Sequence, residues 1–445
     1  MSSAAIEARS RDAVGEVLEL LLRGGEALVI VPSPPGAGKT SLVEAVAAAA
    51  VHFDLRVLVA APRAEQTYDF MRRLVADYQP MSIQGLLAKD RELPEDLVSA
   101  GIPDPRRPVD LTGGPGVVVG TVDKLLDGAP DIGPGAFDLL IVDEAWQVTY
   151  GNLLALLGLA GQVLIVGDSG QLPPLVRSET NRFEAREHHV HWPAPEELMR
   201  RHPNAPVVPL PATRRLPQDT VEFLQPAFYP RLPFVSATSP AERRLRAGAG
   251  GMGTGIDRAI DLLTGGATLA GVLLPPRAHA GIEYDPELAE LSAEVAQRLL
   301  QRGLSWEGQR PLAAEDIGCV DPHRDSGTAT RRALSERGIG HELMVSTPEI
   351  WQGLQRPLMV ARYPVVPGRR LSAFDLEPGR VCVQLSRHQI ACIIVARDGV
   401  GDALREHQHD VSARASEAVD AEYVGWRAHS ELWSRLDAEN RFVRV

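Results

Sequence analysis

Short apolar runs alternate with longer helix-like segments along the first half of this chain. The alternation is typical of a parallel β-sheet covered by helices, because each strand of such a sheet is buried on both faces. Alanine-rich and amphipathic segments at residues 39–50 and 64–78 are predicted to form two of the covering helices. The predicted strands of this series span residues 27–31, 56–60, 116–119, 137–142, 162–166 and 205–210.

A second series of apolar runs follows after residue 266, with helix-like segments such as 286–302 between them. We therefore expect an α/β fold built from two parallel-sheet domains in tandem. The predicted strands of the second series span residues 270–274, 316–320, 343–346, 358–361 and 390–396.

Changes in composition divide the chain into three predicted regions. The N-terminal domain is expected at 1–206, with a small insertion near 79–112 where prolines and charges interrupt the pattern. The second domain is expected at 207–400 and includes a glycine-rich segment at 229–266 that is typical of a flexible loop. Residues 401–445 are predicted to form a helical tail.

Charge and composition argue against two classes of protein, those that coat nucleic acid and those that span a membrane. The formal net charge of -12 argues against a protein that coats nucleic acid over its whole surface, although a local basic channel remains compatible with it. No apolar run approaches the roughly 18 residues of a membrane span. The three cysteines are far apart, and residues 1–11 lack a signal-peptide pattern, so we expect a cytoplasmic protein without a membrane partner.

The segment between the first predicted strand and the helix that follows it has the composition of a phosphate-binding loop. Residues 33–40 read SPPGAGKT, and a glycine-rich turn between a strand and a helix is the context that a P-loop requires. Backbone N–H groups of the turn would bind phosphates, the Lys39 ammonium would reach the β and γ phosphates, and the Thr40 hydroxyl would hold Mg²⁺. Ser33 stands where the motif usually has its first glycine. The residues expected to contact a nucleotide here are Pro35, Gly36, Ala37, Gly38, Lys39, Thr40 and Ser41.

A pair of acidic residues ends the predicted strand at 137–142. Asp143 is expected to bind the Mg²⁺ shell, and Glu144 to orient and deprotonate an attacking water molecule. An acid pair at a strand end is common on protein surfaces, but its combination with a P-loop predicts an ATP-hydrolysing site.

Residues 163–175 read VLIVGDSGQLPPL, and with the motifs around it this segment resembles the third motif of superfamily 1 helicases. The chain is most similar to the branch that contains the nonsense-mediated-decay helicase. Further segments that resemble motifs of the family, in chain order, are 57–63, 117–124, 143–147, 213–217, 346–353 and 383–387.

The resemblance implies two RecA-like domains that bind ATP and Mg²⁺ at their interface and hold single-stranded DNA or RNA. It implies that Gln171 senses the γ-phosphate, and that Arg215 and Arg387 enter as arginine fingers when the domains close. The remaining residues that it implies to contact the nucleotide are Gln352 and Gly353. Those implied to contact the nucleic acid are Arg63, Thr121 and Thr347.

Four residues, at three places in the chain, depart from the family pattern. Arg63 stands where the family has a small hydroxyl residue, Gln355 where it usually has a glutamate, and His388 with Gln389 where it has alanine and a basic residue. Because these departures fall in segments that resemble strand-contacting and coupling motifs, the nucleic-acid face is less fully matched than the ATP face.

Two hypotheses about function remain open on the sequence. The first is an ATP-dependent translocase or helicase on single-stranded nucleic acid. The second is a helicase-derived ATPase that acts as a switch on a protein partner, which the acidic charge and the altered motifs favour. A third interpretation, a P-loop kinase or an unrelated hydrolase, conflicts with Gln171 and with the second α/β series. Arg243, Arg244 and Arg246 form a short basic patch, which is either a solvated face or a phosphate contact.

Overall fold

The structure is a computed structural model that describes residues 3–78, 81–176, 187–277, 285–306, 310–407 and 421–445. The chain divides into two compact units. The first contains residues up to Ser169 together with Pro173–Ala212, and the second contains Gly170–Leu172 and Thr213–Val445. Within the described ranges each unit has a parallel sheet of six strands, which confirms the predicted α/β class with two RecA-like domains.

The first unit is built on a sheet with the strand order β1-β6-β5-β2-β4-β3. Its strands are β1 (Leu28–Pro32), β2 (Arg56–Ala61), β3 (Ile83–Leu86), β4 (Gly116–Thr121), β5 (Phe137–Val142) and β6 (Ala160–Gly167). Its helices are α1 (Ser3–Leu18, continued by a π-helical turn, Glu19–Arg23), α2 (Lys39–His52), α3 (Ala64–Asp77), α4 (Glu95–Ser99), α5 (Val122–Ile132), α6 (Tyr150–Leu157) and α7 (Ala194–Arg201).

The sheet of the second unit has the strand order β13-β12-β14-β15-β10-β16. Its strands are β10 (Leu269–Leu274), β12 (Ile317–Val320), β13 (Met344–Ser346), β14 (Arg356–Arg362), β15 (His388–Arg397) and β16 (Phe442–Arg444). Two short pairs lie outside it, β7 (Ala212–Thr213) with β8 (Val235–Ser236) and β9 (Leu245–Arg246) with β11 (Ser305–Trp306). The helices are α8 (Gln218–Phe228), α9 (Gly255–Thr264), α10 (Pro286–Gln301), α11 (Arg324–Glu336), α12 (Pro348–Trp351), α13 (Pro378–Leu385), α14 (Val400–Glu406) and α15 (Ala421–Ala438).

The boundary between the units differs from the predicted one at residues 206 and 207. Val208 donates its N–H to the Ile30 carbonyl, and Leu210 donates its N–H to the Pro32 carbonyl, so this segment runs beside β1 of the first sheet. Gly170–Leu172 belong to the second unit, although the sequence pattern placed them in the first. Both differences arise from contacts between residues far apart in the chain, which a local pattern does not contain.

Three segments predicted as accessory regions contribute regular structure to the units. The predicted insertion at 79–112 provides β3, the edge strand beside β4. The segment predicted as flexible at 229–266 contains β8, β9 and α9, whose first turn is closed by a capping box between Thr254 and Asp257. The predicted helical tail contains β16, which pairs in parallel with β10, so it is part of the second sheet.

Candidate nucleotide site

The glycine-rich turn connects β1 to α2 in the first unit. Gly36 and Gly38 have positive φ angles of 71° and 89°, in the left-handed region that glycine enters without a steric penalty. Gly38 occupies the N-cap of α2, so the free N–H groups of the first helical turn lie beside the loop. A turn of this kind binds anions, because these N–H groups and the helix dipole both favour negative charge. Thr40 and Ser41 lie in that first turn; Thr40 is partly buried and Ser41 is exposed.

Ser33 is fully buried at the start of the turn, and its contact explains why it can replace the usual glycine. Its N–H and its hydroxyl both donate to the Gly167 carbonyl, each at 2.9 Å. Gly167 ends β6, the strand that pairs with β1. The hydroxyl therefore attaches the turn to a neighbouring strand. Sequence reasoning missed this role, since the two residues are 134 positions apart.

Lys39 and the acid pair meet in the first unit, as the P-loop prediction requires. The Lys39 ammonium lies 3.5 Å from a carboxylate oxygen of Glu144, and both side chains are largely buried. Burial, and then the nearby Glu144 carboxylate, raise the pKa of Asp143 to about 7, while Lys39 acts in the opposite direction. Two carboxylates beside one ammonium leave an excess of negative charge, which a cation would offset.

Glu144 adopts a left-handed backbone conformation with φ 51° and ψ 40°. This conformation costs a residue with a side chain about 1 kcal/mol or more, and it persists only where the surroundings enforce it. The Glu144 N–H donates to the Asp143 carboxylate at 2.9 Å, which holds the two acids in a fixed relative orientation. The strained residue is thus the one whose carboxylate lies 3.5 Å from the Lys39 ammonium.

The oxygen groups at the start of α2 and after β5 fit Mg²⁺. The Thr40 hydroxyl and the Asp143 carboxylate are hard oxygen ligands, and Mg²⁺ is commonly held by one or two protein oxygens while phosphates and water complete its shell. Across the described ranges, no group of three or more His, Cys, Asp or Glu side chains forms a metal cage of its own. The protein groups are therefore suited to a metal that enters together with a phosphate ligand.

Two of the residues predicted to contact nucleic acid lie at the same edge of the first β-sheet. Arg63 precedes α3 just after β2, and Thr121 ends β4, whose register pairs it with Ala61 of β2. The Thr121 hydroxyl accepts the Lys124 N–H and so caps α5. Thr347, the third predicted strand contact, is the N-cap residue of α12 in the second unit.

Arg215 lies in the second unit, bound to a residue that departs from the family pattern. Its Nε donates to the Gln355 side-chain oxygen at 2.7 Å, and its Nη1 donates to the Ser386 carbonyl at 3.4 Å. A neutral amide orients the guanidinium without the charge compensation that a glutamate at position 355 would provide. Arg214, its neighbour in sequence, is exposed.

Arg387 lies in the same unit and is 1% exposed. Its Nε donates to the Val383 carbonyl at 3.2 Å. The resemblance implies that Arg387 contacts a nucleotide when the domains close, and this role stays a prediction.

The other predicted nucleotide contacts of the second unit lie in turns. Gln171 is largely buried there, and a side chain at Gly379 would meet its carbonyl oxygen at 2.6 Å. Gln352 is also largely buried and follows α12 directly, and Gly353 turns the chain with a φ of 86°.

His388, one of the departures from the family pattern, is a fully buried structural residue. Its Nε2 lies 2.8 Å from the Thr220 hydroxyl, which lies 2.7 Å from the Thr268 hydroxyl. Thr268 in turn donates to Asp219, which is paired with Arg441 at 2.6 Å. His388 therefore belongs to a buried polar network within this unit.

The His388 network predicts a specific dependence of stability on pH. Burial lowers the pKa of His388 to about 3, so between about pH 6.5 and pH 3 the unfolded chain binds a proton that the folded chain does not. Stability should therefore fall as the pH falls through this window, by about 2 kcal/mol from pH 7 to pH 5 for this group. Urea unfolding of the wild type and of His388→Gln at both pH values measures the effect. An equal loss in both proteins would show that His388 does not contribute.

Comparisons with known proteins were made for the family, the sequence and the fold. Residues 15–204 match the AAA_30 family, described as an AAA domain. No curated protein sequence matches the chain. None of the helices in the described ranges combines the length and apolar character needed to cross a membrane.

The similar solved structures include several helicases. The arterivirus nonstructural protein 10 helicase is 14% identical, with a TM-score of 0.43, and the match covers 85% of this chain and 62% of that protein. A complex of an arterivirus nonstructural protein 10 helicase with DNA is 15% identical, with a TM-score of 0.42, and covers 85% and 63%. The Pyrococcus furiosus Hef helicase domain is 14% identical, with a TM-score of 0.36, and covers 85% and 95%. This chain thus spans about three fifths of the viral proteins.

Proposed function

We propose that this chain is an ATP-hydrolysing motor that moves along single-stranded DNA or RNA. The observation that carries the proposal is the contact between Lys39 and Glu144 at 3.5 Å beside the glycine-rich turn. A phosphate-binding lysine and a water-activating carboxylate must lie within a few ångströms of each other for the chemistry of ATP hydrolysis. The AAA-domain match to residues 15–204 supports nucleotide binding by the same unit.

The ion pair between Lys39 and Glu144 gives the first unit a way to respond to its substrate. The phosphates of ATP carry several negative charges and would compete for the Lys39 ammonium. Once Lys39 binds them, the Glu144 carboxylate loses its partner and can orient and deprotonate a water molecule. Mg²⁺, when bound with ATP through Thr40 and Asp143, would neutralise part of the charge on the phosphates. Substrate binding would thereby convert Glu144 from an ion-pair partner into a general base.

The second unit would supply the positive charge that the transition state still lacks. A phosphoryl group in transfer spreads negative charge over its oxygens, and an arginine that contacts them mainly in the transition state raises the rate without tightening ATP binding. Arg215 suits this role because the neutral Gln355 side chain accepts a hydrogen bond from its Nε at 2.7 Å and so orients the guanidinium. Gln171 would report the state of the γ-phosphate.

The single-stranded DNA or RNA would lie against the loops that follow the β-strands of the sheets, where helix N-termini gather. Arg63 and Thr347 lie in loops of this kind, and Thr121 is the last residue of β4 and the N-cap of α5. Hydroxyl and backbone N–H groups hold phosphates without reading bases, as a motor that moves over any sequence requires.

Stimulation of ATP hydrolysis by single-stranded nucleic acid tests the proposal most directly. We expect poly-dT or poly-U, added at low salt, to raise the steady-state ATPase rate of the full chain several-fold. The reason is that strand and ATP would favour the same closed state, so that binding of one promotes catalysis with the other. Rising salt should diminish the effect, because phosphate contacts release counterions.

One control completes this test. Glu144→Gln with poly-dT sets the background from contaminating ATPases. If hydrolysis by the wild type is unchanged by either strand at low salt while the basal rate is intact, the motor hypothesis fails, and a switch that acts on a protein partner becomes the better explanation.

The predicted contacts with nucleic acid can be tested by introducing negative charge at Thr121 and Thr347. Thr121 caps α5 through its side chain, so glutamate there would also remove a cap, whereas aspartate keeps the capping oxygen. We expect the double variant Thr121→Asp with Thr347→Asp to bind labelled oligo-dT about tenfold more weakly by fluorescence anisotropy, because each carboxylate would repel a phosphate.

The matched control for these variants is Thr121→Ser with Thr347→Ser, which keeps a hydroxyl at both places and should bind like the wild type. Equal binding by the aspartate and wild-type proteins, with the basal ATPase rate preserved, would exclude both threonines from the strand path.

A further inference from the structure

The second unit contains a cavity of about 670 Å³ that the proposed motor chemistry does not use. Its rim carries Arg243, Arg244 and Arg246, the short basic patch seen in the sequence. The facing wall is formed by the turn at residues 265–268 and by the first part of β15. The basic patch, which had two interpretations on sequence alone, therefore borders a partly open cavity.

The charges at this rim favour an anion. Arg244 and Arg246 are exposed, and among the described residues neither forms an ion pair. Asp219, an acidic residue of the cavity wall, is neutralised by Arg441 at 2.6 Å. The other acidic side chain of the lining is Glu222, which accepts a hydrogen bond from Gln218. Positive charge therefore exceeds negative charge around the opening.

The inner walls have the mixed character of a small-molecule site. Leu245, Leu263 and Ile390 supply apolar surface, while the hydroxyls of Thr238 and Ser239 add polar groups beside the arginines. A cavity of a few hundred Å³ with apolar walls and a few convergent polar groups is typical of sites for small ligands. A continuous nucleic-acid strand is bound instead by an elongated groove that follows its backbone.

The rim is held in place by contacts outside the cavity. Arg243 lies over the Trp306 ring at 5.5 Å and donates to the Arg214 carbonyl at 3.1 Å. Arg246 lies in β9, which pairs with β11. A positively charged rim on a braced backbone binds an anion with less loss of conformational freedom than a solvated loop.

We propose that this cavity is a second anion site, which binds a small phosphate-bearing molecule of nucleotide size with its phosphates at Arg244 and Arg246. The apolar wall accepts the non-phosphate part of the ligand. The site is separate from the glycine-rich turn of the first unit and does not depend on its chemistry. Its rim also contacts the Arg214 carbonyl, so a bound ligand lies next to the segment that carries Arg215.

The test uses the full chain with Lys39→Ala, which weakens phosphate binding at the glycine-rich turn, and inorganic tripolyphosphate as the probe in calorimetry at low salt. We expect one equivalent to bind, with affinity reduced by about tenfold or more when Arg244→Ser and Arg246→Ser are added, because each removes a charge-assisted contact. Arg231→Ser is the matched control: this exposed arginine lies outside the cavity lining and forms no ion pair among the described residues.

Three outcomes would overturn the proposal. The first is no tripolyphosphate binding in the Lys39→Ala protein. The second is an equal loss of affinity from Arg231→Ser, which indicates general surface charge. The third is that a short oligo-dT strand binds through Arg244 and Arg246 more tightly than tripolyphosphate, which makes the patch part of a strand path. Thermal unfolding of each variant must match that of the parent protein, as expected for substitutions of exposed side chains.

Discussion

Replacing Lys39 by alanine is expected to lower the affinity for ATP by about a hundredfold, because the ammonium makes charge-assisted contacts to the phosphates. Glu144→Gln is expected to leave ATP binding close to that of the wild type while turnover falls by about 10²- to 10⁴-fold, since the amide cannot accept the proton of the attacking water. The two variants thus separate binding from chemistry. Equilibrium binding of a fluorescent ATP analogue and steady-state phosphate release measure the two effects.

Both substitutions also remove one partner of the pair between Lys39 and Glu144. Lys39→Arg is therefore the matched control. It keeps a positive charge that can pair with Glu144, but its planar guanidinium does not fit between phosphates as a compact ammonium does. We expect this variant to fold normally and to bind ATP weakly. If Glu144→Gln hydrolysed ATP at the wild-type rate, Glu144 could not be the base, and the assignment of the acid pair would be wrong.

Arg215→Ala is expected to reduce kcat by about 10²- to 10³-fold with little change in ATP affinity, because a finger contact forms mainly in the transition state. The neighbouring Arg214 provides a closely matched control, since it carries the same charge one position away and is exposed. Gln355→Leu, which removes the acceptor of the Arg215 Nε, should produce a smaller loss in kcat. Single-turnover hydrolysis and ATP binding, measured on the same samples, separate the two effects.

The variant that loses kcat identifies the arginine that acts as the finger. If Arg214→Ala lowered kcat while Arg215→Ala had the wild-type kcat, Arg214 and not Arg215 would be the arginine finger. A defect in ATP affinity alone, for Arg215→Ala and for Arg387→Ala, would mean that neither is a finger. Because Arg387 is 1% exposed, its variants must also be checked for stability, and Arg387→Lys retains most of the side-chain volume and the charge.

The buried contacts of His388 show a limit of motif reasoning. The sequence identified His388 only as a departure from the family pattern. The structure buries it in a network with Thr220 and Thr268 that spans parts of the chain more than 100 residues apart. A motif gives the chemical type of a residue, whereas burial depends on which other segments pack around it.

The amino-acid sequence by itself determined the α/β class and the local form of the nucleotide site. Alternation of apolar runs with helices is a local property, and it predicted most strands of both sheets to within a few residues. The turn around Gly36 and Gly38 was also predictable, because only glycine adopts its positive φ angles without strain. The acid pair followed from its place at the end of β5, since functional loops gather at the carboxyl ends of parallel strands.

Tertiary structure alone decided how distant segments complete these units. β3 and β16 are edge strands of four and three residues that the apolar pattern did not predict, and each forms by pairing with one strand of its sheet, β4 or β10. The buried bond from Ser33 to Gly167 and the contact between Arg215 and Gln355 join residues more than 130 positions apart. Such pairs depend on the sheet order and on chain packing, which arise from the whole fold and not from the residues on either side of each position.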